Sequence, residues 1–228
     1  MELSIIVPVY NERATVEEAI REICDVRLPV NGKEVVIVDD GSTDGTRELL
    51  TETDWPGNVR VLLHERNRGK GAAIRTALSG ASGAFTTIMD ADLEYDPANI
   101  GGLLEPLVDG RADVVYGVRG FQSHSAYSFW YVIGNKCVTF FANLLYNCWL
   151  ADIMTCHKIM RTELFQSIRL SEDGFAIEPE ITARLLRHGA QIYEVPVSYH
   201  ARTREDGKKL TSVDGVRVLK TLARCRVT

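Results

Sequence analysis

Leu3-Ser4-Ile5-Ile6-Val7-Pro8 and, further on, Glu34-Val35-Val36-Ile37-Val38-Asp39 decide the fold class. Both runs are β-branched and apolar almost throughout, which is the composition of strands covered on both faces by helices. Between them Val16, Ala19, Ile20 and Ile23 recur at helical spacing within residues 14–24, so the segment reads strand, helix, strand. The pattern repeats with a helix over 46–50, the strand Val59-Arg60-Val61-Leu62-Leu63, a helix over 72–79, and the strand Phe85-Thr86-Thr87-Ile88-Met89, which stops at Asp90. Strands alternating with helices predict an α/β domain with a mostly parallel central sheet flanked by helices and right-handed crossovers. The second half is less regular, with a strand over 113–116, an aromatic segment over 127–149, a helix over 178–187 and a strand over 192–197. No repeat, low-complexity tract or linker divides the chain, so residues 1–228 read as a single domain.

Bulk properties narrow the function. The 228 residues are 45% hydrophobic and 25% charged, enough to bury a substantial core. A formal net charge of -5 leaves no basic excess for a phosphate backbone and excludes nucleic acid as the expected partner. Cys24, Cys137, Cys148, Cys156 and Cys225 are scattered and contain no Cys-x-x-Cys pair. Neither a disulfide framework nor a zinc site is expected, and a cytoplasmic location follows. The apolar run from Leu3 has no basic lead and reads as a strand rather than a signal peptide. Residues 138–151 fall short of the roughly 20 apolar residues of a spanning helix and are interrupted by Asn143 and Asn147, so no transmembrane helix is expected.

Open parallel sheets bind ligands at the carboxyl ends of their strands. Three strands here end in polar clusters, Tyr10-Asn11-Glu12, Asp39-Asp40-Gly41-Ser42 and Asp90-Ala91-Asp92, which are expected to share one crevice. Two carboxylates in Asp90-Ala91-Asp92 suit a hard divalent cation, and such a cation neutralises nucleotide phosphates. An Asp-x-Asp triplet is also a common solvated turn; the preceding apolar strand, Glu94 and the second acidic strand end favour a ligand site. Gly41 and Gly45 suit tight turns, and Ser42 or Asp44 suits the cap of the next helix. One aspartate of the Asp39-Asp40 pair is then expected to brace the turn while its neighbour faces the crevice. Asn67-Arg68-Gly69-Lys70-Gly71-Ala72-Ala73 is similar to a phosphate loop at a helix N-terminus but lacks the P-loop spacing, which excludes a P-loop kinase or ATPase. Close packing of loop against helix accounts equally well for its glycines.

These motifs, in order, resemble the family 2 glycosyltransferases: Pro8-x-Tyr10-Asn11-Glu12, Val38-Asp39-Asp40-Gly41-Ser42-x-Asp44-Gly45-Thr46, Asn67-x-Gly69-Lys70-Gly71 and Asp90-Ala91-Asp92. Further elements resemble the dolichol-phosphate mannose synthase branch: Gly117-x-Arg119, Gly134-Asn135-Lys136, Asp152-x-x-Thr155-Cys156-x-Lys158, Gly174-Phe175-x-x-Glu178-x-Glu180, and Arg202 with Gly207-Lys208-Lys209. The resemblance implies a GT-A fold and transfer of a hexose from a nucleotide-diphosphate sugar, usually GDP-mannose, to a polyprenyl phosphate. It implies a donor half over 1–120 and an acceptor half over 121–228. By matched position Pro8, Tyr10, Glu12, Ile37 and Asp39 would surround the nucleoside, and Asp90 and Ala91 the donor. Asp92 and Glu94 would hold magnesium or manganese, and Arg119, Arg202 and Lys208 would hold phosphates; Asp92, Arg119, Arg202 and Lys208 form the implied catalytic set. Two departures stand out: Glu94 occupies a place where the family often has Gln, and Phe129-Trp130-Tyr131-Val132-Ile133 lacks an Arg the family often carries there.

A phosphate monoester has a second pKa of about 6 and is already a nucleophile at neutral pH, so this acceptor needs no strong base. A hydroxyl acceptor would need one, with Glu178, Glu180 or Asp173 as candidates. From the residues alone, Glu178 and Glu180 also read as helix-start carboxylates around Pro179, Arg202 and Lys208 as a solvated basic tail, and His157, His188 and His200 as packing or surface residues. The aromatic stretch 129–150 reads either as core or as an amphipathic helix at a bilayer surface. The second reading would make the protein peripheral at the cytoplasmic face of a membrane or docked on a membrane protein. A nucleotidyltransferase, which would release diphosphate, and a noncatalytic nucleotide-sugar binding module are the rivals from other classes.

Overall fold

The computed structural model describes residues 2–120, 129–201 and 212–227, the last group without the side chains of 212–214. Strands β1 (Leu3–Val9), β2 (Lys33–Asp39), β3 (Val59–Leu63), β4 (Phe85–Ile88), β5 (Val114–Arg119), β6 (Lys158–Arg161) and β7 (Ile192–Val197) form one seven-stranded sheet in the order β3-β2-β1-β4-β6-β5-β7. All pairings are parallel except those of β6, which runs antiparallel between β4 and β5 and joins the two halves of the sequence.

Alternation along the strands sorts side chains to opposite faces. Leu3, Ile5, Val7 and Val9 of β1 and Val35 and Ile37 of β2 enter one core with α1 (Val16–Asp25) and α4 (Asn99–Val108). Ile6, Val36 and Val38 enter the other with α3 (Lys70–Ser79), α6 (Thr162–Ser167) and α7 (Ile177–His188). That two-sided burial is why β1 and β2 read as continuous apolar runs. The short α2 (Thr46–Glu52) follows β2 and buries Thr46 and Leu50. A third cluster fills the space between α5 (Phe129–Tyr146), α7 and α8 (Ser212–Val227).

The expected strands and the helices over 14–24, 46–50, 72–79 and 178–187 are present with small shifts at their ends. Four elements were not anticipated. Helix α4 contains Gly101, Gly102 and Pro106, residues that read as breakers, yet Ile100, Leu103, Leu104 and Leu107 bury a full stripe that outweighs their low propensity. Strand β6 and helix α6 span only four and six residues, too short for either periodicity to register. Helix α8 has exposed Val216, Arg217, Leu219 and Lys220 beside buried Val218, Thr221, Leu222 and Cys225, a narrow seam that composition hides. Among the described residues, no helix is long and apolar enough to cross a membrane.

Candidate active site

The carboxyl ends of β1 and β2 lie side by side, Val9 opposite Asp39, and the loops that follow are laced together. Asn11, at φ 51°, donates its amide to Ser42 Oγ at 2.9 Å and accepts from the Thr43 amide at 2.9 Å. The Glu12 amide donates to Thr46 Oγ1 at 3.0 Å, and Asp44 accepts from the amides of Arg13 and Thr46, both at 3.1 Å. The cap position of α2 is held by Gly45, not by Ser42 or Asp44, and Asp44 bonds the first helical amide from one residue further out. Gly41 has φ +77°, and a Cβ there would collide with the backbone of Arg66 and Asn67.

The two aspartates at the end of β2 do not divide their work as expected, because both are buried. Asp39 is 0% exposed and its carboxylate accepts from Arg47 Nε at 2.8 Å and from the Ser42 amide at 3.3 Å. Asp40 accepts from the Arg68 and Gly69 amides at 2.9 and 2.7 Å and bonds His64 Nδ1 at 2.7 Å, whose other nitrogen meets Thr76 Oγ1 at 2.9 Å. Asp40 and His64 therefore fix the loop before α3.

That loop packs against the chain. Gly69 sits at φ +98°, a Cβ on it would collide with the Asp173 carbonyl, and one on Gly71 would collide with the Glu172 carbonyl. The Gly71 and Ala72 amides donate to Asp173 O at 2.6 and 3.2 Å. The first amides of α3 are taken by the protein itself, so of the two readings of these glycines the structure has close packing.

Lys70 carries the consequence of that packing. Its ammonium lies 2.8 Å from Asp90 Oδ2 and 3.3 Å from Glu178 Oε1. Glu178 is also bonded by Lys158, which is 0% exposed, donates to the Thr155 carbonyl and lies 5.0 Å from the Tyr116 ring centre. A charge row Asp90, Lys70, Glu178, Lys158 thus runs from the end of β4 into the core. Burial works to lower the Lys70 pKa, but Asp90 and Glu178 outweigh it and hold the pKa well above the ordinary lysine range. Glu180, 0% exposed, accepts from the Ser171 amide at 2.9 Å, Ser171 Oγ at 2.6 Å and the Glu172 amide at 2.7 Å. Burial raises its pKa, and these donors with Arg184 more than reverse that, leaving it below the usual carboxylate value. Asp173 is exposed and paired with Arg75.

On the other side of the same turn, Thr15 Oγ1 donates to the Ala91 carbonyl at 2.8 Å and so joins the β1 and β4 ends. Leu93 takes φ 60°, and Asp92 Oδ1 accepts from the Glu94 amide at 3.1 Å, which sets both carboxylates on one tight turn. Glu94 Oε2 accepts from the Tyr199 hydroxyl at 2.6 Å, the Glu94 carbonyl accepts from the His200 amide at 2.8 Å, and Tyr95 and Tyr199 form an isolated antiparallel bridge. Burial, then Tyr131 and Glu94, push the Tyr199 pKa far up, so the hydroxyl remains a donor. Arg119 lies 5.2 Å from the Tyr199 ring centre and forms a two-pronged pair with Asp152, Nε to Oδ2 at 2.6 Å and Nη2 to Oδ1 at 2.9 Å, while Nη1 donates to Tyr131 Oη at 3.0 Å.

Of the residues assigned from sequence, Glu12 and Ala91 are joined through Thr15, Asp90, Asp92 and Glu94 lie on the turn that carries Ala91, and Pro8 and Tyr10 lie half-buried at the end of β1. Ile37 is 0% exposed and belongs to the core. Arg119 is 5% exposed with its fork engaged by Asp152. Arg202 and Lys208 lie outside the described residues. His157 is the expected packing residue, edge-on to Tyr95 at 5.2 Å, with burial lowering its pKa to about 4. Among the described residues, no three His, Cys, Asp or Glu side chains gather into a metal cage. Asp92 and Glu94 offer hard oxygen donors, and magnesium commonly binds through one or two carboxylates together with substrate phosphates, so the pair fits a cation that arrives with a diphosphate. Sequence reasoning assigned no role to Lys70, Lys158, Asp152, His64 or Tyr199. A lysine inside the apolar strand Lys158-Ile159-Met160 was the available signal, since a buried ammonium demands a carboxylate partner.

The fold has counterparts. A solved structure of glucosyl-3-phosphoglycerate synthase from Mycobacterium tuberculosis, holding Mn2+, UDP and glucosyl-3-phosphoglycerate, superposes with a TM-score of 0.74 at 22% identity, covering 100% of this chain and 81% of that one. The fold is GT-A. The dolichol-phosphate mannosyltransferase of Pyrococcus furiosus is 28% identical over 223 residues, 91% of this chain and 59% of that protein. The dodecaprenyl-phosphate galacturonate synthase of Rhizobium johnstonii is 27% identical over 207 residues, 89% of this chain and 60% of that protein. The chain therefore spans about three fifths of the length of these two relatives. Glycosyltransferase AglJ of Haloferax volcanii is 28% identical over 214 residues, 93% of this chain and 67% of that protein. The model of glycosyl transferase family 2 matches residues 4–169, from the first strand through the Asp90-Ala91-Asp92 turn to the end of α6, and the chain belongs to that family.

Proposed function

We propose that the chain transfers a hexose, with inversion, from a nucleotide-diphosphate sugar to a polyprenyl phosphate, with mannose from GDP-mannose as the donor sugar and magnesium or manganese held by Asp92 and Glu94. The observation that carries this reading is the state of the glutamates at the head of α7. A hydroxyl acceptor needs a carboxylate to take its proton, but of the three candidates Glu178 is closed between Lys70 and Lys158, Glu180 is occupied by Ser171, Glu172 and Arg184, and the exposed Asp173 is paired with Arg75. A phosphate monoester arrives already ionised. Its oxygen attacks the anomeric carbon, the bond from that carbon to the diphosphate oxygen breaks, and the nucleoside diphosphate leaves with the bonding pair.

Two anions must then approach one another, and a divalent cation supplies the neutralising charge when bound. The chain's own residues hold the donor: Tyr10 and Glu12 from the β1 wall, Asp90 and Ala91 from the end of β4. Arg202 and Lys208 are assigned to phosphate by their matched positions. Arg119 holds the wall through Asp152 and Tyr199. The names of the relatives from P. furiosus and R. johnstonii, each a prenyl-phosphate sugar enzyme, support the acceptor class.

A lipid acceptor also gives a reason for the outer face of α5. Phe129, Trp130, Ile133, Phe140 and Leu144 are exposed on it, and the neighbouring α8 bears exposed Arg217, Lys220, Arg224 and Arg226. A row of exposed apolar side chains on one helix face suits a bilayer surface. Flotation with anionic liposomes tests it: the parent should float, and Trp130→Ser with Phe140→Ser should sink while remaining folded. The function itself is tested by a donor screen with Mn2+ or Mg2+, reading nucleoside diphosphate release with and without undecaprenyl phosphate. Release should rise with the lipid phosphate and be greatest with GDP-mannose. Release of inorganic diphosphate would indicate a nucleotidyltransferase, and transfer to a hydroxyl with indifference to the lipid phosphate would overturn the acceptor assignment.

A further inference from the structure

We infer that Tyr199 is a positioning residue for the cation: its hydroxyl fixes the Glu94 carboxylate beside Asp92 before the cation arrives. The inference rests on the reading of Asp92 and Glu94 as the metal-holding pair. The bond from Tyr199 Oη to Glu94 Oε2 is 2.6 Å, in the range of charge-assisted O–H···O− bonds, which are roughly twice as strong as neutral ones. A carboxylate has about four lone-pair sites, so one hydroxyl bond is compatible with metal ligation.

Both ends of this bond are held by further contacts. On one side the Tyr199 ring is 3% exposed, packs on the Tyr95 ring at 5.0 Å and lies under Arg119, itself locked by Asp152. On the other, the Glu94 backbone is fixed by the His200 amide and by the Tyr95–Tyr199 bridge. A glutamate on a tight turn would otherwise lose side-chain freedom on taking up the ion, and the ordered partner removes part of that cost. Hydrogen-bond partners behind metal ligands typically contribute 10–100-fold in affinity.

The test is Mn2+ titration of the full chain by electron paramagnetic resonance, alone and with saturating GDP or UDP. Tyr199→Phe deletes the hydroxyl and keeps the ring. It should weaken Mn2+ binding about tenfold or more while the thermal transition moves little. In a Glu94→Ala background the added Tyr199→Phe should change Mn2+ affinity less than about twofold, because the group it acts through is gone. Parental or tighter Mn2+ binding by Tyr199→Phe overturns the inference, as does an undiminished loss in the Glu94→Ala background. Asp92→Ala separates the two levels. Parental Mn2+ binding in both Asp92→Ala and Glu94→Ala sinks the metal reading, whereas loss in both with parental binding by Tyr199→Phe sinks only the positioning role.

Discussion

Arg119→Ala should unfold the protein more readily without harming nucleotide binding. The guanidinium is 5% exposed, and Asp152 opposite it is 0% exposed, joined by contacts of 2.6 and 2.9 Å. Removing one partner of such a pair leaves the other charge buried and unbalanced, which costs about 3–5 kcal/mol. Asp152 retains donors from Asn135 Nδ2 and the Met154 amide, both at 3.1 Å, which places this variant near the lower end. For a chain of this length each kcal/mol moves the melting temperature about 2–4 °C, so a fall of about 6–12 °C is expected for a loss of about 3 kcal/mol. Nucleoside diphosphate affinity of the folded variant, by calorimetry, should stay within about threefold, or roughly 0.7 kcal/mol. Asp152→Ala should fall at least as far, and replacing both residues by Met and Leu should recover most of the loss, because an apolar pair leaves no unmatched charge. A parental melting temperature for Arg119→Ala, with nucleotide affinity reduced more than about tenfold, would falsify the strut assignment and restore Arg119 as a phosphate contact.

Asp92→Ala should abolish turnover at saturating manganese with a melting temperature close to the parent's, and retained turnover would exclude Asp92 as a ligand. Glu94→Gln should shift the metal concentration for half activity, since one donor loses its charge; an unchanged value would place residue 94 away from the ion. His157, neutral in the fold with a pKa of about 4 against about 6.5 when unfolded, binds its proton only in the unfolded chain as pH falls through that window. Stability should therefore decline by about 3 kcal/mol between pH 6.5 and 4 from this residue alone, and the pH dependence of the urea midpoint should flatten in His157→Gln; parallel curves for the two proteins would refute it. The depressed carboxyls of Asp152 and Glu180 act lower, their contribution being complete above about pH 4 and lost below it as they protonate. Gly69→Ala should destabilise by more than about 1 kcal/mol, because it combines a left-handed φ of +98° with a collision at Asp173 O; a neutral change in melting temperature would show that the loop moves aside.

What was legible in the sequence was what repeats or ends abruptly. Strands β1 and β2 announce themselves because both faces are buried, and the ends of β1, β2 and β4 because apolar runs stop at clusters of carboxylates and amides. The partners of those carboxylates were not legible. Asp39 and Asp40 look alike in the chain, and only the fold reveals that Arg47 claims one while His64 and two loop amides claim the other. Residue spacing cannot report that Glu178 will meet Lys70 and Lys158, since those contacts are made between α7, α3 and β6, elements far apart in sequence. The exposed row on α5 was ambiguous for a different reason: Phe141 is partly buried against α7 and α8 while Phe140 and Leu144 face outward, and adjacent aromatic residues on a helix carry no label for which is which.

The two buried networks make the carboxylates of the Asp90-Ala91-Asp92 turn unequal. Asp90 is matched by the Lys70 ammonium at 2.8 Å, so a divalent cation placed on that carboxylate would also face a like charge. Asp92 shares its turn with Glu94 and accepts from its amide, while the Glu94 carboxylate accepts from the Tyr199 hydroxyl, a neutral donor. The row that protects Asp90 also engages Glu178, drawing off the carboxylate that would otherwise be available to deprotonate a hydroxyl. Lys70 thus bears on metal placement and on acceptor choice together. Lys70→Met should leave Asp90 without its countercharge and release one oxygen of Glu178. Mn2+ then gains a competing ligand at Asp90, and the preference for a lipid phosphate over a hydroxyl acceptor should narrow in a paired-acceptor assay. If Lys70→Met binds one Mn2+ with parental affinity and keeps the parental acceptor ratio, the charge row is a structural strut and the inequality of the two carboxylates has another cause.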